Sequence, residues 1–222
     1  MSNDIVIIAV HPDDETLGCG GTLLRHVENG DIIHWVIVTT MTSPMFTVER
    51  IKAREKEIEN VSRLYGFKSV TQLGFPTTQL SEIPEKILID AFSKTFRYIK
   101  PHTIYMPFKN DIHSDHRKSF DAAIACTKSF RYPFIKRILM MEVLSETEYA
   151  PALQSDIFLP NVYVNIEHYI DQKIKILSQY DGEVKPFPFP RSIDAIKALA
   201  QVRGVACNST SAEAFMLLKE VI

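Results

Sequence analysis

The sequence is poor in cysteine, and the three it has, Cys19, Cys126 and Cys207, are far apart with no CxxC pair. An odd, scattered set excludes a disulfide-stapled secreted framework and reads as reduced thiols of a cytoplasmic protein. No apolar run approaches the roughly 20 residues that span a bilayer, and Met1-Ser2-Asn3-Asp4 lacks the basic segment of a secretory signal. Neither a membrane anchor nor export is expected. An excess of positive charge is lacking too: 25 Lys and Arg stand against 27 Asp and Glu, and the basic residues form no stripe. Nucleic acid is therefore not expected as a partner. The glycine cluster Gly18-Cys19-Gly20-Gly21 lacks GxGxxG spacing and a P-loop lysine, so its glycines are expected to allow close helix packing, with no phosphate bound.

What is present suits a compact enzyme. With 222 residues and 45% hydrophobic content, a single domain over residues 1–222 is expected, burying roughly 70% of its unfolded surface. The pattern predicts strands near Asp4 to Val10, Ile32 to Thr40, Ser69 to Gly74, Thr103 to Pro107 and Arg137 to Val143. Helices are predicted near Thr16 to Asn29, Val48 to Tyr65, Pro84 to Tyr98 and Asp115 to Phe130, then Tyr169 to Gln179 and Ile193 to Arg203. Alternation of this kind implies an α/β fold, Rossmann-like, with a largely parallel, doubly wound sheet and helices on both faces. The stretch from about 160 to 222 is expected to complete the fold and the substrate rim.

The most informative residues are His11-Pro12-Asp13-Asp14-Glu15, directly after the apolar run Ile5 to Val10. A buried strand that ends in an imidazole and three carboxylates exposes charge where the core stops, at a cost unless a cation or substrate uses it. Pro12 breaks the strand, so His11 and Asp14 can converge on one point. A catalytic metal generally needs three protein ligands. Asp111-Ile112-His113-Ser114-Asp115-His116, after Thr103 to Pro107, offers the third: on a helix starting near Ser114, one of the two histidines can bind metal while the other faces substrate. His26, His34, His102 and His168 lack such a setting and read as structural or solvent-facing.

These two motifs, in this order after predicted strands, resemble the PIG-L/LmbE-like de-N-acetylases, zinc enzymes acting on N-acetylglucosamine-type sugars. The resemblance implies one Zn2+ per subunit held by His11, Asp14 and His116, with Asp13 as general base and acid and His113 stabilising the oxyanion. Chemistry agrees on Asp13: neighbouring side chains point apart, so it stays free to take a proton. A helix N-terminus disfavours the imidazolium that this mechanism assigns to His113; the resemblance makes Asp115 the group that orients and charges it.

An Arg-x-x-Glu element at Arg54 and Glu57 is similar to one in the family, which makes Arg54 a candidate substrate contact, with Glu57 structural. The ending Ala212-Glu213-Ala214-Phe215 resembles the bacillithiol-type glucosaminyl deacetylases. The sequence departs from the family where many relatives carry Gly-Glu, having Thr40-Met41-Thr42-Ser43-Pro44-Met45-Phe46, and has Pro76-Thr77 where they often carry Pro-Asp. The segment Pro186-Phe187-Pro188-Phe189-Pro190-Arg191 is expected to form a semi-rigid loop, either a lid or a subunit contact. The expected function is zinc-dependent removal of the N-acetyl group from an amino sugar or its conjugate by a cytoplasmic homo-oligomer. Two alternatives use the same residues: a ferrous oxygenase with a two-His, one-carboxylate set, and a catalytically silent sugar-binding protein.

Overall fold

Ile5 to Val10 are apolar at every position because the strand they form is covered on both sides, as expected in the middle of a parallel sheet. Ile5, Ile7 and Ala9 face one core and Val6 and Ile8 the other. The computed structural model describes residues 2–154 and 156–222. Its parallel strands are β1 (Asp4–Ala9), β2 (Ile32–Thr40), β3 (Ser69–Pro76), β4 (Thr103–Met106) and β5 (Arg137–Met141), in the spatial order β3-β2-β1-β4-β5. Ile7 pairs with Trp35 on one side and Tyr105 on the other.

Helices α1 (Asp14–Glu28) and α2 (Val48–Tyr65) cover one face with α5 (Ile170–Leu177) and α6 (Ile193–Val205), through Leu23, Val61, Leu177 and Ile196. The opposite face packs α3 (Glu85–Ile99) and α4 (Ser114–Ala125), through Leu88, Phe92, Phe96 and Phe120. The doubly wound, Rossmann-like α/β architecture expected from the sequence is what forms. The last predicted helix of the core ends sooner than expected, at Ala125, where the Thr127 hydroxyl turns back to donate to the Ile124 carbonyl at 2.8 Å.

The far edge was not legible. β6 (Val162–Asn165) and β7 (Ala212–Glu220) extend the same sheet, β7 running antiparallel to both β5 and β6. Ala, Glu, Met, Leu and Lys dominate β7, and these residues favour helix in isolation. Pairing on both edges overrides that preference.

Glu213 explains what this strand does for α1, whose helix is interrupted at Cys19. The backbone N–H groups of Gly21 and Thr22, freed by the interruption, donate to the Glu213 carboxylate at 3.0 and 2.7 Å. Lys173 Nζ bridges the same carboxylate at 2.7 Å and the Leu17 carbonyl at 2.9 Å. Both halves of the break are thereby capped. A side chain at Gly21 would sit 2.7 Å from Ile166, so the cluster's glycine serves close packing, as expected.

The chain enters at β1, winds outward through β2 and β3, and returns to the other side of β1 as β4. Neighbouring strands whose crossovers leave in opposite directions open a crevice at their carboxyl ends, where such sheets bind ligands. His11 to Glu15 follow β1, and Asp111 to His116 follow β4. Among the described residues no helix is long and apolar enough to cross a membrane.

Candidate metal centre and active site

His11, Asp14 and His116 converge, each offering a ligand atom within 4.8 Å of the others. Asp14 is locked first. Its Oδ2 accepts the N–H groups of Val10 and His11 at 2.9 and 2.8 Å, so the turn forced by Pro12 is folded around the carboxylate. That oxygen lies 3.3 Å from His116 Nε2 and 3.9 Å from His11 Nδ1. Burial opposes charge on Asp14, but His116 and His11 overcome it and hold its carboxyl well below the usual range.

Behind each imidazole stands another carboxylate. Asp111 Oδ2 lies 2.8 Å from His116 Nδ1, and Asp111 is itself held by the Thr147 hydroxyl at 2.7 Å. Asp115 Oδ2 lies 3.4 Å from His11 Nε2. A carboxylate behind a ligating imidazole fixes its tautomer and raises its basicity. Among the described residues His116 Nε2 is buried and has no hydrogen-bond partner, although buried polar atoms rarely lack one. An orphaned nitrogen aimed at a carboxylate, beside a second imidazole, suits a divalent cation. Two nitrogens and one oxygen are a donor set that fits zinc.

Asp13 occupies a strained conformation, φ 142°, held by the hydrogen bonds of its own backbone. Its N–H donates to Glu15 Oε2 at 3.1 Å, and its carbonyl accepts from Thr16 and Leu17 at 3.0 and 2.8 Å. Strain of this kind collects at functional sites. It turns the Asp13 side chain away from Asp14, toward the cleft. Burial, then the charges of Asp14 and Glu183, push the Asp13 carboxyl well above its ordinary value, against the pull of Arg191 and Arg54. Glu15 is fully buried and braces the turn, accepting from the hydroxyls of Thr16 and Tyr180 at 2.6 and 2.7 Å; burial pushes it up to about 7.

His113 corrects the sequence reading. It is the N-cap of α4, and its Nδ1 accepts the Asp115 N–H at 3.1 Å. Nδ1 is thus unprotonated, which leaves the proton on Nε2. Burial, then His11 and His116, lower the ring to about 4, so it is neutral across the physiological range. Asp115 orients this ring through its backbone. Its carboxylate turns to His11 and to the N–H groups of Thr78 and Leu80 at 2.6 and 3.1 Å. These bonds hold Asp115 below the usual carboxylate range despite its burial. Asp115 does pull the ring toward protonation, but burial and the two other imidazoles outweigh it, while its carboxylate fixes His11 and the loop after β3.

Arg54 also departs from expectation. It borders the cleft, yet it is buried, with Nη1 donating to the Pro12 carbonyl at 2.7 Å and Nη2 to Glu183 at 2.5 Å, and with Nε ion-paired to Glu57 at 3.1 Å. It buttresses the motif turn. The guanidinium at the rim belongs to Arg191, 3.6 Å from Asp13 Oδ2 and 3.0 Å from Glu183 Oε2. Arg191 was missed because it ends the proline-rich loop some 180 residues after the motif it meets. Glu15 and Asp111 stood inside the motifs, and their position was the available signal.

Comparison with known proteins agrees with this geometry. A family model described as PIG-L: GlcNAc-PI de-N-acetylase matches residues 6–127, more than half of the chain. The uncharacterized deacetylase YaiS of Escherichia coli K12 is 26% identical over 182 residues, 79% of this chain and 89% of the relative. A probable N-acetyl-alpha-D-glucosaminyl L-malate deacetylase 2 of Bacillus anthracis is 23% identical over 194 residues, 82% and 83% of the two chains. The crystal structure of the conserved protein TT1542 from Thermus thermophilus superimposes with a TM-score of 0.78 at 26% identity, covering 99% of this chain and 96% of that one. With both motifs inside the matched span, the chain belongs to the PIG-L de-N-acetylase family.

Proposed function

We propose that the protein is a zinc-dependent hydrolase that removes the N-acetyl group from an N-acetylglucosamine-type amino sugar or its conjugate. The observation that carries this reading is the pairing of a cation-ready set, His11, Asp14 and His116, with a strained, buried Asp13 that is not part of it. The names of the Escherichia coli and Bacillus anthracis relatives support deacetylation, and the latter supports an amino sugar.

His11, Asp14 and His116 would hold the zinc, which when bound would supply Lewis acidity toward the acetamide carbonyl and lower the pKa of water toward about 7. Asp13 accepts the proton of the attacking water at its carboxylate and returns it to the leaving amine. A raised carboxyl suits both halves of that task, because proton transfer is most effective when the pKa lies near the working pH. His113 donates from Nε2 to the oxygen that gains charge. A neutral imidazole held at a helix N-terminus can act as such an electrophile. Asp111 and Asp115 hold His116 and His11 in place.

A free base beside the ligand set favours hydrolysis over the ferrous oxygenase reading. The free thiols of Cys19, Cys126 and Cys207 support a cytoplasmic setting, and Phe187, 67% exposed on the proline-rich loop, supports a subunit contact. Acetate release from a panel of N-acetylglucosamine conjugates, with and without zinc, tests the reading. Zinc-dependent acetate is expected, and N-acetylated peptides turned over faster than the sugars would contradict it.

A further inference from the structure

The cleft has two unlike sides. Beside the ligand set it is polar, but beyond the ends of β2 and β3 its wall is Met41 and Phe46, from the loop after β2, with Ile51 and Ile58 of α2. Ile51, Arg54, Glu55 and Ile58 recur at helical spacing, so one face of α2 lines this stretch. Ile58 belongs to the core, whereas Met41, Phe46 and Ile51 are only half-buried. They present apolar surface to the cleft. This wall and the residues His11, Asp13 and Asp14 line one and the same cavity. A group attached to a sugar whose acetamide lies beside Asp13 reaches that wall.

Charge narrows what that group can be. Both arginines lining the cleft are already paired, Arg54 with Glu57 and Glu183, and Arg191 with Glu183 and Asp13. Glu55, held by Gln72 at 2.9 Å, adds a carboxylate to the apolar stretch itself. An anionic group placed there meets negative charge with no cation released to pair with it. We propose that the substrate's aglycone is uncharged and apolar, aryl or alkyl, and seats against Met41, Phe46 and Ile51. This rests on the amino-sugar reading above and deepens it.

The test is calorimetric titration of the zinc-loaded full chain with phenyl glucosaminide, and with octyl glucosaminide below its micelle concentration, against glucosamine and malyl glucosaminide. Burying an aryl or alkyl group should tighten binding at least ~10-fold over glucosamine, and the dicarboxylate should gain nothing. Equal affinities, or preference for the malyl conjugate, would overturn the proposal. The N-acetylated counterparts should follow the same order in kcat/KM, and Ile51→Glu should collapse the ratio of phenyl to unsubstituted sugar. Apolar preference in binding with no acetate from any substrate would sink the deacetylase reading and leave the subsite standing. Acetate released equally from all of them would do the reverse.

Discussion

The first turn of α1 and its interrupted middle both bring carboxylates into the interior, and they treat them in opposite ways. At the interruption, Glu213 accepts two backbone N–H groups and Lys173, and Lys173 donates onward to Leu17. At the first turn, His116 Nε2 has no hydrogen-bond partner among the described residues and Asp13 is held at φ 142° facing a cleft. Buried charge is costly unless fully paired. The closed network is therefore architecture, and the incomplete one marks the candidate functional site.

If the contrast is right, the two networks break differently. The largest effect is expected at Asp13. Asp13→Asn keeps the shape and tolerates positive φ, so melting temperature should hardly move while acetate release falls by roughly 10²–10⁴-fold. Activity retained within a few-fold would remove Asp13 as the base.

Glu213→Gln is the mirror experiment. Leaving Lys173 buried without its counter-charge should cost about 3–5 kcal/mol of stability, read by chemical denaturation. A loss no larger than that of a surface substitution would show that the pair does not brace the interruption.

His113→Ala sharpens the site side, with kcat lowered roughly 100-fold and KM little changed. Because His113 is held to about 4, it loses its proton on the acid side and is neutral above that pH. The basic limb of the pH–rate profile should thus persist in the variant. Disappearance of that limb would restore a charged His113.

The smallest effect belongs to a pair on β5 and β7, the latter being the strand that carries Glu213. Arg137, half-buried, and the exposed Glu220 lie 3.5 Å apart, and Arg137→Ala should cost about 1 kcal/mol or less. A larger loss would blur the distinction between closed and incidental charge pairs.

How far the sequence disclosed this depends on how locally each feature is encoded. β1 and the His11 to Glu15 turn were legible because a two-sided buried strand must be apolar throughout and because the charged residues follow it without interruption. The role of Asp115 was half legible: its place at the head of α4 could be read, but its side-chain direction depends on the loop at Thr78 to Leu80 that β3 delivers. The bracing contacts of Arg54 were not legible because its partners, Pro12 and Glu183, lie 42 and 129 residues away. β7 was hidden by a helix-favouring composition that only its two neighbouring strands overrule.

The central claim is that adjacent carboxylates, Asp13 and Asp14, do different work, one as base and one as metal ligand. Zinc per subunit in purified Asp13→Asn and Asp14→Ala, measured side by side, tests it most directly. Asp13→Asn should retain near-stoichiometric zinc and Asp14→Ala should lose most of it, since a site reduced to two ligands cannot hold the ion. Near-stoichiometric zinc in Asp14→Ala, or its loss in Asp13→Asn, would contradict the division.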